Sequence, residues 1–192
     1  MCIAYHRERR PNLLVHSRSP DSNLPLGGGK HWPFYHGLMT VKPIPEGFHT
    51  VTPHLTVRDA AKYIDFLKRA FGAEEVSRTP GPDGKLMHVQ MRIGDSPLMF
   101  HDPMPASGQP PTSEGHWPLV LHLYVLDADK TFAQAVAAGC QATMPLADQF
   151  WGDRYGHVRD PFGFTWAIAT HKEDPTPEEM KRRQEAMFAS RR

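Results

Sequence analysis

Between residues 48 and 171 the apolar positions of the chain change period twice, and then do so again in the same order. From Thr50 to Val57 apolar and polar residues alternate and β-branched side chains are frequent, the pattern of a half-buried strand. The period then lengthens: Tyr63, Ile64, Leu67, Ala70 and Phe71 recur at intervals of three and four, which predicts a helix with one apolar stripe. Asp59 stands where its carboxylate can cap that helix, and Gly72 where a left-handed residue ends it. Alternation returns over Glu74–Thr79, Leu86–Ile93 and Leu98–His101, with turns predicted at Pro82-Asp83-Gly84 and Gly94-Asp95.

The second round begins 68 residues later. Pro53-His54-Leu55-Thr56-Val57-Arg58-Asp59-Ala60-Ala61-Lys62 is echoed by Leu121-His122-Leu123-Tyr124-Val125-Leu126-Asp127-Ala128-Asp129-Lys130. Asp127 repeats the cap and Gly139 the stop, around a thinner stripe of Phe132, Ala135, Val136 and Gly139. Asp160-Pro161-Phe162-Gly163 forms a turn feeding a strand over Phe164–Thr170. Each half therefore reads as one helix and four strands. The expected fold is α+β, two tandem βαβββ modules over about 48–104 and 118–171 within a domain spanning 39–175. Thr176-Pro177-Glu178-Glu179 supplies an N-cap, an N1 proline and a capping-box glutamate, so a C-terminal helix is expected over 176–192. Residues 1–38 show neither period, hold four prolines and the Gly27-Gly28-Gly29 run, and are expected to be a structureless extension. Met39, which follows, is a candidate start of translation.

Charge narrows the partners. The 22 Lys and Arg nearly cancel the 21 Asp and Glu, leaving a formal charge of +1. That balance argues against nucleic-acid binding through phosphate contacts and against an acidic disordered chain. No apolar run approaches a membrane span and none resembles a signal peptide. Two cysteines, Cys2 and Cys140, make no disulfide framework. A cytoplasmic location is expected, and Cys140 reads as a buried, inert thiol. Phosphate-cradling loops, dinucleotide fingerprints and nucleophile elbows are all missing from the sequence.

Two βαβββ halves carrying these residues resemble the glyoxalase/bleomycin-resistance/extradiol-dioxygenase superfamily, also called vicinal oxygen chelate (VOC) proteins. The most specific stretches are Thr52-Pro53-His54-Leu55-x-Val57, Ala70-Phe71-Gly72-Ala73, and Asp148-Gln149-Phe150-Trp151-Gly152-Asp153-Arg154-Tyr155-Gly156 running into Asp160-Pro161-Phe162-Gly163. They are similar to its PhnB-like branch. The resemblance implies sheets curled into a cup for a small molecule, often with a divalent metal, and a homodimer in which the cup can be shared. In metal-dependent members the ligands are His, Gln or Glu on the first and last strand of each half. Those places fall here on Thr52, Met99, Val120 and Ala167, so no metal is expected at the usual positions.

Two residues beyond three of these places stand His54, His101 and His122. Residues two apart on a strand share a face, so the three imidazoles are expected to point into the cup. They are either polar walls of a pocket or, alternatively, a shifted three-His site for Zn, Fe, Ni or Mn. His88 is a further pocket candidate. Trp151, Arg154 and Tyr155 suit a planar or anionic ligand, through aromatic walls and a bidentate guanidinium; alternatively Arg154 pairs with Asp153 at the surface. Tyr124 is assigned to the face opposite His122, as a packing residue. The leading expectation is a small-molecule binding protein without the usual metal site. The alternative is a metal-dependent lyase, isomerase or dioxygenase, and a third reading is an interaction module docking through its C-terminal helix.

Overall fold

The computed structural model describes residues 41–105, 107–111 and 118–189. The expected extension over 1–38 lies outside them. The first module runs β1 (His54–Thr56), α1 (Ala60–Phe71), β2 (Glu74–Pro80), β3 (Leu86–Ile93) and β4 (Ser96–His101). The second runs β5 (Val120–Tyr124), α2 (Ala128–Ala137), β6 (Gln141–Asp148), β7 (Asp153–Arg159) and β8 (Thr165–His171), and α3 (Pro177–Ala189) follows. Each module forms its own four-stranded mixed sheet, in the orders β1-β4-β3-β2 and β5-β8-β7-β6. In both, the first strand pairs parallel to the last and the remaining pairs are antiparallel. The two βαβββ repeats are thus as expected.

The repeat extends to the caps. Asp59 accepts the Lys62 amide at 3.1 Å and Asp127 the Lys130 amide at 2.9 Å. The amide of Ala60 at the head of α1 is taken by Asp102 (2.9 Å), which also accepts Leu86 N–H (2.7 Å). The corresponding amide of Ala128 is taken by the Thr170 hydroxyl (2.8 Å). Gly72 ends α1 in the left-handed region at φ 63°. The end of α2 differs from expectation: Ala138 caps it in helical geometry and Gly139, at φ 109°, turns the chain one residue later. β1 is also shorter than the alternation from Thr50 suggests. Pro53 has no N–H to give a ladder, and only its carbonyl is used, by Met99 N–H at 3.0 Å.

Alternation on the strands sends Leu55, Val57, Val89, Met91, Leu98 and Phe100 to one face, where they are buried with α1. α1 is buried on a second side as well, which its single predicted stripe does not anticipate. Phe66 is buried, and Tyr63 and Phe71 reach the other module. Tyr63 lies 4.7 Å from Phe162 and 5.7 Å from Phe164 between ring centroids, and Phe71 lies 4.5 Å from Trp166. The Tyr63 hydroxyl, fully buried, donates to Asp160 at 3.2 Å. A layer of rings therefore joins the modules through their helix side. Cys140 is buried beside it, and burial pushes its thiol up to about 12, consistent with an inert packing residue.

The C-terminal segment is tied to the second sheet by Gly152. Its carbonyl accepts the amides of Lys172 (2.9 Å) and Glu173 (3.2 Å), and a Cβ there would lie 2.1 Å from the Glu173 carbonyl oxygen. The Thr176 hydroxyl then accepts Glu179 N–H at 3.2 Å, as the capping pattern predicts. Among the described residues no helix is long and apolar enough to cross a membrane.

Candidate functional site

Each sheet has one face packed against helices, so its other face is left for chemistry. Strand alternation and register place His54 and Thr56 of β1, Met99 and His101 of β4, and His88 and Gln90 of β3 on that face of the first sheet. On the second sheet the same face carries His122 and Tyr124 of β5, Ala167 and Ala169 of β8, and Tyr155 and His157 of β7.

The first-sheet imidazoles form one cluster. His54 meets His101 at 5.0 Å and His88 at 5.6 Å between ring centroids, both edge-on. His101 is buried, and its Nδ1 lies 2.7 Å from the Asp102 carbonyl. A carbonyl can only accept, so Nδ1 carries a proton and donates it there. Burial, and then the neighbouring His101 and His88, hold His54 below the usual imidazole value.

The second cluster is richer in carbon. His122 lies 4.5 Å from Tyr124 and 5.6 Å from Tyr155, Tyr155 lies 5.0 Å from His157, and Trp151 stands edge-on to Tyr155 at 5.4 Å. The Tyr155 hydroxyl is 2.6 Å from His157 Nε2. His157 is lowered by burial and then by His122, and Tyr155 is raised by burial and then by Asp153. Tyr124 is not opposite His122, as expected above. It is two residues along the same strand and shares its face.

Asp153 organises this wall. Only 3% exposed, it accepts hydrogen bonds from the Tyr124 hydroxyl (3.0 Å), Trp151 Nε1–H (3.0 Å) and His171 Nδ1–H (2.7 Å). Burial alone would raise its carboxyl, but the three donors together hold it below the ordinary value. His171 Nε2 also lies 3.0 Å from Asp174. A neutral imidazole has one N–H, so serving two carboxylates requires the doubly protonated ring. His171 is accordingly raised above 6.5, by Asp153 first and Asp174 next. A raised basic group lends its stability fully below the unfolded value and loses it as pH climbs through the folded one. Amide exchange of Lys172 and Glu173 is therefore expected to speed up as pH rises above about 6.5, beyond the intrinsic base catalysis of exchange, and His171→Ala removes that extra dependence.

The remaining sequence candidates are placed as follows. Arg154 points to the helix side, where its guanidinium is held by Asp129 at 2.8 and 3.1 Å, with Asp148 at 3.6 Å. Its partner is not Asp153, because consecutive strand residues face opposite ways. His54 and His101 come together, with His88 as their third neighbour, while His122 belongs to the second sheet's cluster. Among the described residues no three His, Cys, Asp or Glu side chains are placed to hold a metal. At the four positions where metal-dependent relatives carry ligands, Thr52 offers a hydroxyl, Met99 a thioether, and Val120 and Ala167 hydrocarbon. Thr52 Oγ1 is buried and without a hydrogen-bond partner. This donor set does not fit Zn²⁺, Mg²⁺ or Mn²⁺. Sequence reading missed His157 and Tyr124 as wall residues and Asp153 as their support. Strict two-residue alternation outward from His122 and Tyr155 would have found the first two.

Beside the second cluster, between the modules, lies an apolar recess of about 350 Å³ whose lining includes Pro53, Leu98, Leu121, Leu123 and Trp166, with His122 at its edge.

The profile of the Glyoxalase/Bleomycin resistance protein/Dioxygenase superfamily matches residues 47–168. The uncharacterized protein Mb0911c of Mycobacterium bovis is 47% identical over 122 residues, covering 62% of this chain and 80% of that protein. Protein YjdN of Escherichia coli is 34% identical over 95 residues, covering 50% of this chain and 63% of YjdN. Among solved structures, TioX from Micromonospora sp. ML1 superposes with a TM-score of 0.52 at 28% identity, over 63% of this chain and 97% of TioX. With two βαβββ modules, their shared caps and this profile match over most of the described residues, the chain belongs to the glyoxalase/bleomycin-resistance/dioxygenase superfamily.

Proposed function

We propose that the protein binds a small organic molecule on the helix-free faces of its sheets and does so without a metal at the superfamily's usual positions. The observation that carries this reading is the wall of Trp151, Tyr155, His157, His122 and Tyr124, in which Trp151 and Tyr124 are held by one buried carboxylate, Asp153. Such rings present a large surface that loses little freedom on binding, which suits a ligand with a flat, unsaturated part. The apolar recess, lined largely from the helix side by Leu98, Leu121, Leu123 and Trp166, meets this wall at His122. The residues at the four usual ligand positions supply no anionic or imidazole donor.

A second copy of the chain completes the cup in this reading. The two ring clusters lie on separate sheets, β1 and β5 are both edge strands, and Val51, ahead of β1, and Val120, the first residue of β5, are exposed. A partner's module set against these edges would pair them and close the cup.

The test is a thermal-shift screen of uncharged aromatic molecules with chelator present, alongside sedimentation analysis of the untagged protein. Binding to the native state raises the melting temperature. A chelator-insensitive shift that is lost in Trp151→Ala supports the reading. Shifts that appear only with added Zn²⁺, Mn²⁺ or Fe²⁺ would favour a metal-dependent lyase, isomerase or dioxygenase instead.

A further inference from the structure

The two modules are each other's control at one pair of positions. In the first, Arg92 of β3 stands opposite Glu74 of β2 and forms an ion pair with it. In the second, Arg159 of β7 occupies the corresponding place, and the residue opposite is Gln141 of β6, a neutral amide. Arg159 thus lacks the counter-ion its counterpart has. It is half-buried, and its Nε is shielded from solvent without a hydrogen-bond partner. No carboxylate pairs with it among the described residues.

Its direction is set by the strand. Arg154 and Val158 belong to the helix side of β7, the first through its bonds to Asp129 of α2 and the second by complete burial. Arg159 therefore shares the opposite face with Tyr155 and His157. Thr165, its cross-strand neighbour on β8, brings a hydroxyl to the same place. The other titratable groups of that face do not neutralise it. His122 and His157 are bases, and Asp153 is six residues away along β7, about 20 Å at strand rise, with its three donors already bound.

We propose that Arg159 is an anion-recognising residue of the binding face, taking a carboxylate- or phosphate-type oxyanion of the ligand. The inference rests on the small-molecule reading above and adds the charge of what is bound. A guanidinium Nε–H shielded from solvent without a partner is costly, and a planar oxyanion edge meets two parallel N–H groups of such a side chain. The aromatic wall at Tyr155 lies about 13 Å along the strand. The ligand class is accordingly an anion whose charged end is separated from a flat end by several bonds.

Inorganic phosphate is the probe, read by the NMR resonance of the Arg159 Nε–H in the full-length protein and by calorimetry. The parent protein is expected to show a saturable shift at millimolar phosphate. Arg159→Gln abolishes phosphate binding. Gln141→Glu, which installs the carboxylate the first module has and leaves the arginine in place, weakens it by at least about tenfold. An uncharged aromatic probe binds the parent and Gln141→Glu alike. Phosphate binding that survives both substitutions, or an Arg159 resonance that phosphate does not move, overturns the proposal. Failure of the uncharged probe on the parent overturns the small-molecule reading, independently of the phosphate result.

Discussion

Replacing Asp160 by alanine is expected to lower the stability of the fold by about 3–5 kcal/mol, enough to unfold much of the protein at moderate denaturant. Asp160 is 3% exposed and accepts four hydrogen bonds: the amides of Phe162 and Phe164 (both 2.9 Å), Trp166 Nε1–H (3.0 Å) and the Tyr63 hydroxyl (3.2 Å). Alanine leaves four donors unanswered, three of them buried, in the middle of the ring layer that joins the modules. Asparagine keeps some of the acceptors and is expected to cost about half as much. Burial also holds Asp160 above its ordinary 3.8, against the pull of its donors. For a raised acid, stability is complete below the unfolded value and declines as pH climbs through the folded one. Urea titrations from about pH 4 upward should show this decline in the parent and its disappearance in Asp160→Asn. An alanine variant as stable as the parent would show that the four bonds contribute nothing net.

Asp153→Ala is expected to have the largest effect on binding, lowering affinity for an aromatic ligand by about ten- to a hundredfold. The carboxylate touches no ligand in this account. It holds Tyr124 and Trp151 in place, and it engages His171 at the root of the C-terminal segment. Tyr124→Phe and Trp151→Phe each remove one donor while keeping a ring, and should fall between parent and alanine variant. Calorimetry on the four proteins, with circular dichroism to verify folding, decides the matter. A folded Asp153→Ala protein with parental affinity would show that the wall needs no such support.

The local code was legible because its causes are local. The helices, their aspartate caps and Gly72 follow from spacing within about a dozen residues, and the offset between His54 and His122 exposes the duplication. β1 was overextended because alternation alone does not register what a proline withholds from a ladder. Phe66 was missed for a non-local reason: nothing near α1 in sequence says that a second module covers its other side. The candidate site divides the same way. His54, His88, His101, His122, Trp151 and Tyr155 were all picked out, but their grouping depends on strand pairing. Register makes His88 the companion of His54 and His101, and leaves His122 among tyrosines. Arg154 and Arg159 show the limit most clearly. Arg154 reads as an anion grip in sequence and Arg159 carries no such signal, yet cross-strand and helix neighbours show that the first is already neutralised and the second is not.

The ring layer between α1 and the Phe162–Trp166 stretch also bears on how the chain comes apart. Tyr63, Phe66 and Phe71 complete their burial only against residues roughly a hundred positions downstream. Neither half can therefore melt by itself, and heat or urea should produce one transition seen alike by every spectroscopic reporter. Made as separate polypeptides, the halves should be insoluble or poorly structured apart and reassemble when mixed, as complementary fragments of a single cooperative unit.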